Sequence, residues 1–287
     1  MSTTVLHLYD LYNVCVSGFE IEDKVFKLYA AMIAEADAVL VNSEPFGAFE
    51  PFAAQGKSII SLLRYPPSSP ARSRPPPGAF RIVMITGFLG EHDDPTRRTE
   101  KAVRRLLGQG AHIHYFSQDE KAQRFSQMAR TEFPQQFHLH RPILVQSELV
   151  SEISRYDAGW AVVDMRPFSD LDANFSTSFA QELARKFVFS SFPTAGLLYA
   201  AAGLPIFANP ESYIIQACAE GVVIPVELTE DGDLSGGRIA YEEMDWESAR
   251  KKAFRARESF FMDRHISVLS SYLTKASPPP SRPFEWA

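Results

Sequence analysis

Short apolar runs of strand length recur along this chain, and a segment of helical pattern follows most of them. That rhythm restricts the fold more than any other feature. Residues 5–9, 38–41 and 58–63 read as strands, while 21–35 carries Val25, Phe26, Leu28, Tyr29, Met32 and Ile33 at nearly helical spacing. The series restarts more strongly at residue 81. Strands are expected over 81–86, 111–116, 137–140, 159–163, 205–208 and 222–226, with helices over 97–107, 121–131, 148–155, 195–202 and 211–218 between them. Strands that alternate with helices at this spacing specify parallel sheets covered on both faces, so the fold class is α/β and Rossmann-like.

The two series are separated at residues 65–78, where Tyr65-Pro66-Pro67 and Pro75-Pro76-Pro77 bracket a stretch of Ser, Arg and Ala with one further proline, Pro70. Proline removes backbone donors and favours extended geometry, so this stretch reads as a linker, a long surface loop within one domain being the alternative. The expected organisation is a partial N-terminal Rossmann-like domain over 1–64, the linker over 65–78, and a second Rossmann-like domain over 79–242. A long helical stretch, bent somewhere between Trp246 and Tyr272, occupies 243–275, and 276–287 is a flexible proline-rich tail.

The chain has 287 residues, of which 45% are hydrophobic and 12% aromatic, enough to fill substantial cores. A net charge of -6 provides no basic field for nucleic acid, and Arg97-Arg98 and Arg104-Arg105 read as solvated helix faces. Its two cysteines, Cys15 and Cys218, are far apart and lack ligand spacing, which argues against both a disulfide framework and a zinc site. No run approaches the roughly 20 apolar residues of a membrane span, and the first residues lack a basic, then apolar, leader pattern. A cytoplasmic protein without a transmembrane segment is expected, peripheral membrane contact remaining open.

In open parallel sheets ligands bind beyond the carboxyl ends of the strands, where helix N-termini present unpaired amides. Three strand-to-helix loops therefore matter. In Thr86-Gly87-Phe88-Leu89-Gly90 the glycines would let a bound group approach the backbone, but their spacing is not the dinucleotide fingerprint, and a plain turn is the alternative. In His138-Leu139-His140-Arg141-Pro142 the histidines have no cysteine or carboxylate at ligand spacing, so no metal is expected. Arg141, whose guanidinium can fork onto a phosphate, is the better candidate. The third loop enters the Ala-rich stretch from 195 to 202. Ser191 or Thr194 can cap a helix there, Pro193 suits its first turn, Gly203 suits a left-handed stop and Pro205 prevents continuation. A buried structural helix accounts for that segment as well as a ligand site does.

Tyr199-Ala200-Ala201-Ala202-Gly203-Leu204-Pro205-Ile206 resembles the donor-site helix and following strand of GT-B glycosyltransferases. Ser151 to Trp160, with Tyr156-Asp157-Ala158-Gly159, resembles the segment that leads into the strand before that site. His138 to Pro142 falls where those enzymes cup the nucleobase, and Glu35 to Glu44 is similar to a late N-domain strand ending in Asn-Ser-Glu. The stretch around Trp246, Arg250 and Phe254 is similar to their C-terminal helix, which crosses back toward the N-domain. These likenesses follow the family order from residue 5 to 272. Two departures stand out. The family's lysine early in the donor-site helix and its glutamate just before the tyrosine are Ala195 and Leu198 here, and the N-terminal series has about half the strands of a complete N-domain.

The resemblance implies transfer of a sugar from a nucleotide-diphosphate donor to a glycan or lipid-linked hydroxyl acceptor, without metal or cofactor. A leaving diphosphate gains charge as the glycosidic bond breaks, so preorganised positive potential is the help it needs. The implied donor-binding residues are Gly87, Arg141, Ser191, Pro193, Thr194, Ala195 and Gly196, with Asp10 a candidate on the acceptor side and no general base identified. The competing expectations are a non-catalytic GT-B-like binding module and a nucleotide-sugar epimerase on the same fold.

Overall fold

A computed structural model describes residues 5–8, 31–41, 58–61, 65–73, 78–85, 98–117, 123–162, 194–229, 234–235 and 245–274. These form two compact units. The described residues up to 61, with 263–274, belong to the first, and those in 65–162 and 194–262 to the second.

In the first unit β1 (Val5–Leu8), β2 (Ala38–Val41) and β3 (Ser58–Ser61) pair in parallel in the order β1-β2-β3. Residues 31–35 are helical and lead into β2, with Ile33 and Val39 buried. Residues 21–30 of the expected helix lie outside the described residues.

The second unit is a six-stranded parallel sheet, made of β4 (Arg81–Met84), β5 (His112–Phe116), β6 (Phe137–His140), β7 (Ala158–Ala161), β8 (Ile206–Ala208) and β9 (Val223–Pro225). Its order is β6-β5-β4-β7-β8-β9. The chain enters at β4, steps outward to β6, returns to β7 on the other side of β4, and steps outward again to β9. Strand order therefore reverses between β4 and β7, and this is the doubly wound, Rossmann-like arrangement expected from the sequence.

Helices α1 (Arg98–Gly108) and α2 (Gln123–Glu132) pack on one face. Ala102, Val103, Leu106 and Leu107 recur on one side of α1 and join Ile82, Ile113, Trp160 and Phe207 in one apolar core. Each such Val or Leu stabilises the fold by roughly 1.5–3 kcal/mol on burial. Helix α1 stops at Gly110, whose φ of 88° lets its amide reach the Leu107 carbonyl at 2.9 Å and the Ala111 amide reach that of Leu106 at 3.0 Å. The basic residues of α1 are not uniformly solvated. Arg98 Nη1 donates to the Leu228 carbonyl at 3.1 Å, and Arg104 lies 3.6 Å from the Glu132 carboxylate.

Helices α3 (Gln146–Ile153), α4 (Thr194–Ala201) and the short α5 (Tyr213–Ala217) come next in the chain. A small antiparallel pair of β10 (Glu227–Leu228) and β11 (Leu234–Ser235) follows β9 and was not foreseen. The long C-terminal stretch is two helices. Asp245 caps α6 (Trp246–Ala256) by accepting from the Ser248 amide at 3.0 Å, a 3-10 turn spans Arg257–Phe260, and extended Phe261 separates it from α7 (Met262–Thr274). The Trp246 ring lies tilted 4.4 Å from that of Phe80 and edge-on 5.7 Å from that of Phe207, which anchors α6 on the core.

The proline-rich segment over 65–73 has no regular structure, yet it is tied to the second unit. Pro66 accepts from the Met262 amide at 2.9 Å, Ser69 Oγ donates to the Ser147 carbonyl at 2.6 Å, and the Arg72 amide donates to Ser154 Oγ at 2.8 Å. The buried Arg257 guanidinium donates to the Ser69 carbonyl and lies over the rings of Phe254 and Phe261.

Candidate functional site

Ligands of doubly wound sheets bind where strand order reverses, which here is beyond the carboxyl ends of β4 and β7. Tyr199 of α4 fixes this place. Its hydroxyl accepts the amide of Ile85, the residue after β4, at 2.9 Å. The Tyr199 ring lies against Gly159 in β7, and burial raises its phenol pKa far above the ordinary value, so the hydroxyl stays neutral. Small residues on α4, including Gly196, Ala200 and Ala201, permit this close seating. The helix then ends on Gly203 with φ 71°, the Gly203 amide bonding the Ala200 carbonyl at 2.9 Å and the Leu204 amide that of Tyr199 at 3.0 Å.

A helix that precedes a parallel strand runs back along the sheet, so the first turn of α4 stands at the carboxyl edge. Thr194 is exposed there, Ala195 half-buried and Gly196 buried. Amides in such a first turn have no intrahelical partners and carry partial positive charge. Leu198 is buried. Arg141 directly follows β6 and is exposed. Two strands separate β6 from β7, so at about 4.8 Å per strand its backbone starts roughly 14 Å along the same edge from β7. Asp10, Gly87, Ser191 and Pro193 lie outside the described residues.

The Tyr-Asp-x-Gly segment does mechanical work beneath the site. Asp157, 3% exposed, accepts from the Arg81 amide at 2.9 Å and Arg81 Nε at 3.1 Å, and Arg250 Nη1 lies 3.3 Å away. Arg250 also donates to the carbonyls of Tyr156 at 2.6 Å and Ser154 at 2.8 Å. The start of β7 is thereby held both from β4 and from α6.

Four histidines form a ladder on β5 and β6. Parallel pairing sets His114 opposite His138 and Phe116 opposite His140, so alternate residues of both strands share one face. Ring centroids follow one another from His112 to His138 at 5.3 Å, His138 to His114 at 4.4 Å, His114 to His140 at 5.2 Å and His140 to Phe116 at 4.5 Å. His112 Nδ1 lies 3.1 Å from His138 Nε2, and His114 Nδ1 lies 2.9 Å from His140 Nε2. Burial, followed by the neighbouring imidazoles and Arg81, lowers the pKa of His114 to about 2. Burial lowers those of His138 and His140 too, with Glu152 opposing the shift at His140. The pattern His-x-His at 112–114, repeated at 138–140, was the available signal, and the sequence reading weighed only the second pair.

The fold is that of GT-B glycosyltransferases. Three similar solved structures are the pneumococcal O-GlcNAc transferase GtfA in complex with UDP and GlcNAc (14% identity, 88% of this chain and 47% of that one, TM-score 0.59), sucrose-phosphate synthase from Thermosynechococcus elongatus (13%, 95% and 68%, 0.60), and Anabaena HepE in complex with UDP and glucose (9%, 94% and 71%, 0.55). The chain thus spans about half the length of GtfA. No protein-family model matches the sequence, and no curated protein does. Among the described residues no helix is long and apolar enough to cross a membrane.

Proposed function

We propose that this chain is a glycosyltransferase that moves a sugar from a nucleotide-diphosphate donor to a hydroxyl acceptor, with the diphosphate at the first turn of α4. The observation that carries the reading is the Tyr199 to Ile85 hydrogen bond, which pins α4 to the end of β4 at the reversal point of the sheet. Amides at Thr194, Ala195 and Gly196 offer a preorganised positive end to the leaving diphosphate, metal-independently, while Arg141 is a more distant cation on the same edge. GtfA and HepE were both solved with UDP, which favours a uridine nucleotide. The cytoplasm and a glycan or lipid-linked acceptor belong to the same proposal.

Isothermal titration with UDP, UDP-glucose and UDP-GlcNAc tests it, alongside ADP and GDP and their sugars. Saturable binding of one nucleotide, weakened by Gly196→Val, is expected. Heat flat for every nucleotide would remove the reading.

A second reading, a non-catalytic binding module, is favoured by Ala195 and Leu198 in place of the expected lysine and glutamate. It predicts nucleotide binding without release of sugar from the donor, which a coupled nucleotide-release assay measures.

A further inference from the structure

We propose that His112, His114 and His138 bind a divalent transition-metal ion of the zinc class on the edge of the six-stranded sheet, a site independent of any donor nucleotide. One ring nitrogen from each of these half-buried residues can be chosen so that all three lie within 4.8 Å of one another. Two nitrogens bound to a tetrahedral zinc at about 2.0–2.1 Å stand roughly 3.3 Å apart. The 3.1 Å between His112 Nδ1 and His138 Nε2 is already near that spacing, so modest ring rotation draws in the third ligand.

Three further observations point the same way. His114 Nδ1 is engaged by His140, whereas its Nε2 is buried and has no hydrogen-bond partner among the described residues. A buried polar atom left so carries a desolvation penalty that a cation would relieve. His140 then orients a ligand ring, as partners behind metal-bound imidazoles generally do. Burial lowers the pKa of His114 and His138, so at neutral pH these two rings present lone pairs rather than charge. Finally, all three ligands stand on paired strands of a parallel sheet, which sets their separations through backbone hydrogen bonds instead of loop conformation. An all-imidazole donor set suits zinc, nickel, copper and cobalt and disfavours magnesium and calcium.

The test uses the full chain, freed of metal by a chelator and titrated with zinc chloride. One ion per chain is expected, with a raised melting temperature and no response to magnesium chloride. His138→Gln and His112→Gln should each weaken binding tenfold or more, while a His7→Gln, His92→Gln double variant should bind as the parent does. Cobalt(II) added to the unmutated chain should give the visible spectrum of nitrogen-rich tetrahedral coordination, and ring-nitrogen NMR should place the perturbed histidines. These two measurements need no variant to fold. Absence of zinc binding, binding by His112→Gln and His138→Gln equal to that of the parent, or perturbation confined to other histidines would each overturn the site.

Discussion

The ring of Tyr199 occupies the space that a side chain on Gly159 would need: a Cβ added there would sit 2.2 Å from the tyrosine Cγ. Strand β7 and helix α4 are therefore seated backbone to ring. Replacing Gly159 by Ala forces the ring or the helix outward, and overpacking of this kind costs about 1–3 kcal/mol. Urea unfolding should register that loss, and because the shift also pulls the Tyr199 hydroxyl from the Ile85 amide, nucleotide binding should weaken with it. A Gly159→Ala protein as stable as the parent would refute the seating.

Asp157 should be among the most sensitive polar residues of the second unit. Its carboxylate is nearly inaccessible, while Arg81 and Arg250 remain 14% and 16% exposed. Losing one partner of a buried pair typically costs about 3–5 kcal/mol, and the partial exposure of both arginines places Asp157→Ala toward the lower end. The loss should appear in chemical denaturation, with Asp157→Asn intermediate because it retains one acceptor oxygen. Full stability in the alanine variant would count against the cluster.

Acid should destabilise the metal-free protein through the histidine ladder. His114 in the folded chain is held near a pKa of about 2, below the ordinary value of an unfolded histidine. The unfolded state therefore binds the extra proton once pH falls below about 6.5, and the folded state does not until far lower. Stability from this group is complete above that pH and declines as pH falls toward 2, by up to about 1.4 kcal/mol per pH unit. His114→Phe keeps an aromatic ring in the stack and should flatten the slope between pH 6.5 and 5, measured by urea unfolding in the presence of chelator. Equal slopes in the two proteins would show that the ladder does not set it.

Restoring a cation to the start of α4 should strengthen nucleotide binding. Ala195 stands one residue into the helix, half-buried beside exposed Thr194. A lysine here would add a charge-assisted contact of about 1.5–3 kcal/mol to a diphosphate, at least roughly tenfold in affinity. Calorimetric titration of Ala195→Lys with UDP reads this directly. Unchanged affinity would argue that the diphosphate does not meet this turn.

The architecture was legible because it rests on local patterns. The strand-like segment Phe137–His140 is strand β6 with identical bounds, and Gly203 takes the positive φ expected of a helix stop. The bend in the C-terminal helical stretch was likewise anticipated, and it falls at Arg257–Phe260. Relationships that depend on register were hidden. His112 and His114 meet His138 and His140 only because β5 and β6 pair in parallel at one particular offset. The fit of Gly159 to Tyr199 depends on helix placement, which sequence spacing does not encode. The two-residue strands β10 and β11 are too short to produce any periodicity.

The contacts made by Arg250 also bear on the order of folding. It reaches Asp157 across 93 positions of sequence, so the start of β7 gains its second anchor only when a helix near the end of the chain arrives. Such distant closure slows the search for the native state, and during synthesis the sheet waits half-secured for α6. Arg250→Ala should accordingly hasten unfolding more than it slows refolding, a partition that stopped-flow kinetics resolves.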